Sequence, residues 1–278
     1  MNNQQHYGLS KLTLELMMIV LGLLFLFPLY ITFISGFKTY NEIMQSAWSL
    51  PQSFDFHNFA TVWKQINIPG VFMNSLIVTV ASVVFILLIS SAAAYQLVRR
   101  PGIISNIVFY SILSSLVIPF QTLMIPLVKI ASELRLIDSL YGLIFVYCGF
   151  GIPLALFLYH GFIKAIPREL EEAAHIDGCG VFGVYFRILL PLMKPITSTI
   201  AILHTLWIWN DFLLPLIMLT SAKNKTLPLA SSIYFGEYSN EWGLAMAALS
   251  FAIIPMVVFF LIMQKYIIQG ITSGAVKG

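Results

Sequence analysis

The sequence predicts an all-α membrane protein, a bundle of six transmembrane helices, and three observations predict it. Of its 278 residues, 59% are hydrophobic and only 10% charged, where an ordinary soluble domain carries about a quarter charged residues. The mean hydropathy of +0.87 is spread along the whole length, which excludes both a soluble domain with one anchor and a long disordered tail. Six runs reach the roughly 20 apolar residues that a helix needs to cross a hydrocarbon core about 30 Å thick. A membrane barrel would instead show segments of about ten residues alternating with a period of two, and these runs are apolar on all sides.

The runs cover about 12–37, 71–98, 103–128, 140–163, 196–219 and 244–268, within a single transmembrane domain spanning 1–278. In the first, Pro28, Tyr30, Phe33 and Phe37 continue the apolar stretch with no small-residue cleavage site after it, so a membrane span is expected rather than a signal peptide. In the second, Ser90, Ser91, Ala92, Ala93 and Ala94 form a small-residue strip suited to close helix packing. In the fourth, Gly149, Gly151 and Pro153 predict a local break.

The fifth run carries an ionisable residue, Asp211, which costs about 2.5–3.5 kcal/mol on insertion scales and so needs a reason. His204, Trp207, Ile208 and Asp211 share a face at i, i+3, i+4 and i+7, and Pro215 one turn later frees a backbone carbonyl. At 1.5 Å per residue Asp211 lies about 12 Å from the outer end of the span. Two readings stand side by side. Asn210 and Asp211 tie together a broken helix, or they join Trp207 and Trp209 in a solute pathway whose polar groups meet hydroxyls and whose rings meet apolar sugar faces.

Six spans put both termini on one side, and the distribution of Lys and Arg decides which. Lys11, Arg99, Arg100, Lys164, Arg168, Arg187, Lys194, Lys265 and Lys277 lie on the terminal side, nine of the fifteen basic residues. The six opposite are offset by Glu42, Asp55, Glu133, Asp138, Glu237 and Glu241. Both termini are therefore expected in the cytosol, with outward connections at about 38–70, 129–139 and 220–243 and the largest cytosolic one at 164–195.

Several function classes drop out. A net charge of +3, scattered along the chain, gives no nucleic-acid footprint. Cys148 and Cys179 are expected on different sides of the membrane boundary and make no disulfide framework. Five scattered histidines offer neither a catalytic centre nor a metal site. An ion-coupled secondary transporter remains as the alternative, although it calls for repeats and midplane carboxylates, and this chain has one candidate acid and no obvious repeat.

The cytosolic connection is the most informative segment. Pro167 and Glu169, Glu171 and Glu172 suit the first turn of a helix, on which Leu170, Ala173, Ala174 and Asp177 share a face. Gly178 and Gly180 end it, and Val181, Phe182, Tyr185, Ile188 and Leu189 form a second apolar stripe expected to stop before Pro191. Small Ala173, Ala174 and Gly178 would admit a partner's backbone, and Phe182 and Phe186 could fill a pocket. The bland alternative is an amphipathic connector on the inner leaflet, against which the acidic first turn argues, since that leaflet is itself negative.

EEAAHIDGCG followed by ILLP resembles the EAA motif of binding-protein-dependent ABC importer permeases. NSLIVT (74–79), SAAAYQLVRR (91–100), IPFQTLMIPL (118–127), LRLIDSLYG (134–142), HGFIKAIP (160–167) and WIWNDFLLPL (207–216) are similar to the carbohydrate-uptake branch, specifically its shorter maltose-type permease. Cys179 departs from the usual alanine, a small-for-small change. The resemblance implies a type I ABC importer fold with a cytosolic EAA coupling loop, in a multi-pass protein of a bacterial or archaeal cytoplasmic membrane. It implies a second related permease, two cytosolic ATPase subunits that use ATP and Mg, and an extracellular solute-binding protein as partners, with a sugar as substrate. It implies that Glu172, Ala173, Ala174, Asp177, Gly178 and Pro191 couple to the ATPase, with Glu172 facing a basic residue there. It also implies that the last outer loop, through Tyr234, Phe235, Gly236, Glu237 and Tyr238, reaches the binding protein, where the bland reading is an ordinary connector. The chain contains no GxxxxGK[ST] phosphate loop, so no cofactor and no catalytic residue is expected in it.

Overall fold

The computed structural model describes the backbone of residues 9–236 and 241–275 and the side chains of 11–236 and 241–264. Thirteen helices are used below: α1 Leu9–Ser35, α2 Tyr40–Gln45, α3 His57–Gln65, α4 Ile68–Arg99, α5 Ile103–Ser114, α6 Phe120–Glu133, α7 Leu140–Lys164 and α8 Glu169–Ile176, then α9 Val181–Leu192, α10 Lys194–Asn210, α11 Leu213–Met218, α12 Leu227–Ser231 and α13 Trp242–Ala275. Among the described residues four helices, α1, α4, α7 and α13, are long and apolar enough to cross a membrane, and two bent pairs raise the number to six if each is one span.

The chain divides into two compact units. In the one formed by Met1–Ile68 and Ser231–Ile254, Phe37 gathers the rings of Phe54, Phe56 and Phe59 at centroid distances of 5.5, 5.1 and 4.8 Å, and Phe59 meets Phe251 edge-on at 5.7 Å. Asn58 closes this cluster by donating from Nδ2 to the carbonyls of Gly36 and Lys38, each at 3.0 Å.

In the unit formed by Pro69–Ala230 and Pro255–Gly278, α7 is central. Its inward face is written at every fourth residue, Leu143, Tyr147, Gly151, Ala155, Tyr159 and Ile163, all buried, as i, i+4 spacing requires of one helical stripe. The fourth run expected to break at Gly149, Gly151 and Pro153 is in fact continuous from Leu140 to Lys164. Gly151 serves packing instead: a Cβ there would stand 2.4 Å from Ile86 Cδ1 and 3.1 Å from His204 Cδ2. Ser90, Ser91 and Ala94 of α4 are buried, and Ser91 shares a 2.7 Å hydrogen bond with the Tyr185 hydroxyl, whereas Ala92 of the same strip is exposed.

Three expected elements differ from those observed, each for a backbone reason. The third run, expected as one span over 103–128, bends by 107° between Ile103–Val117 and Phe120–Glu133. Pro119 pushes Ile118 out of the helical region to φ −82°, ψ 118°. The fifth run stops at Asn210 and restarts at Leu213, because Pro215 has no N–H for the carbonyl of Asp211 four residues earlier and its ring crowds that oxygen. The second helix of the 164–195 connection, expected to end before Pro191, runs to Leu192 and then turns by 72° into α10. It absorbs the proline through a π-helical turn at Tyr185–Leu189.

Candidate functional site

In the connection between α7 and α10, α8 begins with Glu169, Glu171 and Glu172 in its first turn, where carboxylates complement the helix dipole. It closes with the Gly178 amide on the His175 carbonyl at 3.0 Å and the Cys179 amide on the Ala174 carbonyl at 2.9 Å, a Schellman pair. That closure needs a left-handed residue, and Gly178 has φ +82° with open space around it, so its backbone conformation is what glycine supplies there. His175 adds a ring nitrogen 2.8 Å from the Cys179 carbonyl.

Of the three acids, Glu171 turns inward. Its Oε1 accepts from Arg99 Nε at 2.5 Å and its Oε2 from the Tyr95 hydroxyl at 3.2 Å, while Arg99 Nη2 donates to the Ile166 carbonyl at 3.0 Å. The two side chains are only 12% and 9% exposed. This buried latch fastens α8 to the end of α4. Ala174, one turn along from Glu171, is buried as well. Glu172, Ala173, Asp177 and Gly178 remain exposed, as does Pro191 on α9.

Beside them the second stripe divides. Val184, Tyr185 and Leu189 are buried, whereas Phe182 is 80% and Ile176 87% exposed, with Val181 and Phe186 open as well. A cleft of about 240 Å³ between Arg99, Arg168, Glu171, Glu172 and His175 adjoins this surface, and a second of about 210 Å³ is lined by Gln96, Val181, Phe182 and Phe186. An outward acid beside exposed aromatic rings gives this surface a mixed character, apolar with a charge at the edge.

The membrane candidates do not share one face. Asp211 Oδ2 accepts from the Tyr147 hydroxyl at 2.9 Å, and its Oδ1 accepts from the Leu213 amide at 3.1 Å in an Asx turn that leads into α11. Trp209 is buried with its ring 5.6 Å from that of Phe72, while Trp207 is exposed and stands edge-on to Tyr147 at 5.6 Å. Asn210 is exposed and donates to the Leu206 carbonyl at 2.7 Å. His204 is buried between the carbonyls of Ile200 and Gly151, at 2.9 and 3.0 Å.

Two polar anchors were not singled out by sequence reasoning. Asn74 donates from Nδ2 to the carbonyls of Lys223 and Lys225 at 2.8 and 3.0 Å. Asp138, in the left-handed region at φ 54°, accepts at Oδ1 from the Thr220 and Ser221 amides and the Ser221 hydroxyl at 3.0, 2.9 and 2.9 Å. The Ser221 amide leads these bonds in holding the Asp138 carboxyl down at about 2, from 3.8. With the folded value depressed, this contribution to stability is present above pH 3.8 and is lost as pH falls toward 2. Asp138→Ala is therefore expected to lower the melting temperature in detergent at pH 7, by an amount that narrows below pH 4; equal melting at pH 7 would show that the clamp contributes nothing.

Of the residues expected in the last outer loop, Tyr234 is buried and donates to Gln65 Oε1 at 2.8 Å. Phe235 and Gly236 are exposed, and Glu237 and Tyr238 lie outside the described residues. Among the described residues no three His, Cys, Asp or Glu side chains converge as metal ligands.

Residues 86–273 match the family described as binding-protein-dependent transport system inner membrane component. A probable starch degradation products transport system permease protein, AmyC, of Thermoanaerobacterium thermosulfurigenes is 41% identical over 96% of this chain and 97% of its own. The melibiose/raffinose/stachyose import permease protein MelC of Bacillus subtilis is 39% identical over 90% of this chain and 91% of its own. Among solved structures, a chain of a bacterial ABC transporter involved in the import of the acidic polysaccharide alginate matches with a TM-score of 0.79, covering 96% of this chain and 99% of that one at 20% identity, a likeness of fold.

Proposed function

Because this chain belongs to the binding-protein-dependent transport system inner membrane components, we propose that it forms half of the translocation pathway for a sugar, an oligosaccharide or disaccharide. It is an ABC importer permease and a transport subunit rather than an enzyme. The substrate class rests on relatives named for starch degradation products and for melibiose, raffinose and stachyose. None of the relatives supports the ion-coupled alternative.

The observation that carries the coupling role is the division of labour on α8, where Glu171 is held inside by Arg99 and Glu172 is left exposed beside Asp177 and Gly178. In our reading two cytosolic ATPase subunits, using ATP and Mg, close on nucleotide and move this helix. The permease pair then rocks between inward and outward access. Ala173 and Pro191 belong to the same coupling surface. A second related permease completes the pathway, and an extracellular binding protein delivers the sugar near Phe235, Gly236, Glu237 and Tyr238, with both termini in the cytosol of a bacterial or archaeal cell. Exposed Trp207 and Asn210 face the pathway, while Trp209 and Asp211 shape its wall.

Glu172→Lys tests the coupling. Reversing an exposed charge leaves the permease's own melting temperature unchanged, within about 0.5 kcal/mol of stability, while binding of the ATPase and sugar uptake fall at least tenfold. Unchanged uptake that needs no ATPase would return the ion-coupled reading to first place.

A further inference from the structure

Between Glu42 and Asp55 the chain carries no charged residue, and in this stretch Trp48 and Leu50 are 69% and 66% exposed. Large apolar side chains held this open mark a contact surface. The backbone beneath them is fixed. Lys38, 1% exposed, donates from Nζ to the carbonyls of Ser46 and Ala47 at 3.1 and 3.0 Å and reaches Ser49 Oγ at 3.5 Å. The Tyr30 hydroxyl of α1 donates to the Trp48 carbonyl at 3.1 Å. Three successive carbonyls are thereby satisfied within the protein, the condition under which irregular backbone can enter a layer poor in water.

The depth of that layer follows from α1. Its 27 residues make a rod about 40 Å long, against about 30 Å of hydrocarbon and 40–45 Å with headgroups. Tyr30 precedes the C-terminal residue Ser35 by five positions, so it sits about 7.5 Å inside the helix end, at the junction of acyl chains and headgroups. The flank of α1 there is open, with Leu24, Phe27 and Tyr30 all exposed. Trp48 is thus tied at interfacial depth beside a helix face open to lipid, the layer that suits an indole with an apolar body and a polar N–H.

We propose that residues 46–50 form a lipid anchor, in which Trp48 and Leu50 insert at the headgroup–acyl boundary of the leaflet at the C-terminal end of α1, with Lys38 and Tyr30 as the tether. Continuity with the open flank of α1 and the absence of charge from Glu42 to Asp55 select lipid as the occupant. The anchor is independent of which solute is carried.

The test uses the assembled transporter in nanodiscs whose phospholipids carry bromine at shallow or deep acyl positions. Because the chain holds five tryptophans, the signal of Trp48 is the difference between the natural protein and Trp48→Phe. That difference is expected to be blue-shifted emission, quenched more by shallow than by deep bromines and more by either than by aqueous iodide. A spin label on Leu50→Cys, with Cys148→Ser and Cys179→Ser, leaves Trp48 intact and is expected to meet oxygen more readily than a water-soluble nickel chelate. Stronger quenching by iodide together with nickel access would overturn the anchor. So would shielding of both probes that develops only when the solute-binding protein is added, which would assign the surface to that protein.

Discussion

Glu171→Ala is expected to cost about 3–5 kcal/mol, because it leaves the Arg99 guanidinium unpaired in a site where the two side chains are only 12% and 9% exposed. Arg99→Ala is expected to cost a similar amount by stranding Glu171, and it also removes a donor from the Ile166 carbonyl. Either change should release α8 from α4, so the permease melts earlier and ATP hydrolysis no longer drives uptake. The contrast with Glu172→Lys is the informative part, since that variant keeps the permease's own stability and loses only the partner. A double variant, Arg99→Met with Glu171→Leu, should be closer to the natural protein in melting than either single, because an apolar pair leaves no stranded charge. Single variants that melt and transport normally would show that the latch does not hold α8.

Asp211→Ala is expected to have the next largest effect, and its size separates the two readings of that residue. The substitution removes the hydrogen bond to the Leu213 amide at the start of α11, worth about 0.5–1.5 kcal/mol, and strands the Tyr147 hydroxyl on a fully buried ring at about 1–3 kcal/mol more. Tyr147→Phe removes only one interhelical hydrogen bond, for which about 0.6 kcal/mol is the usual membrane figure. If Asp211 holds the break in the fifth span, Asp211→Ala lowers melting temperature and maximal uptake together. The sugar concentration for half-maximal uptake then stays within about twofold, because the carboxylate is spent on the protein's own groups. A large rise in that concentration with unchanged melting would make Asp211 a direct sugar ligand.

Much of the 164–195 segment was legible from residue types. Acids in the first turn, Gly178 at the close and Phe182 beyond it predicted two short helices with an open surface, and the structure has a helix at Glu169–Ile176 and an exposed Phe182. The orientation of that helix was less legible. Glu171 and Glu172 are adjacent and chemically identical, and helical periodicity ranks them no differently; Arg99, seventy-two positions earlier, selects Glu171. The break at Asp211 was half visible, since Pro215 marks the carbonyl that loses its partner, but nothing local identified Tyr147 as the hydroxyl that would take up the carboxylate. Asp138 passed as one acid among six on the outer side. Its importance comes from Thr220 and Ser221, more than eighty positions away.

Composition and long apolar runs alone settle that this chain is a helical membrane protein, because hydrocarbon offers backbone amides no partner and a helix satisfies them within its own segment. The segment around EEAAHIDGCG carries its resemblance to a permease family in the same local way, and the match of residues 86–273 shows that family. The inward acid on α8, the 107° bend at Pro119, the unbroken course of α7 through Gly151 and Pro153, and the clamp at Asp138 were decided by the tertiary structure. Each depends on which distant donor, acceptor or side chain occupies the space next to it. A buried charge or carbonyl is stable only when such a partner has arrived, whatever its own neighbours in sequence prefer.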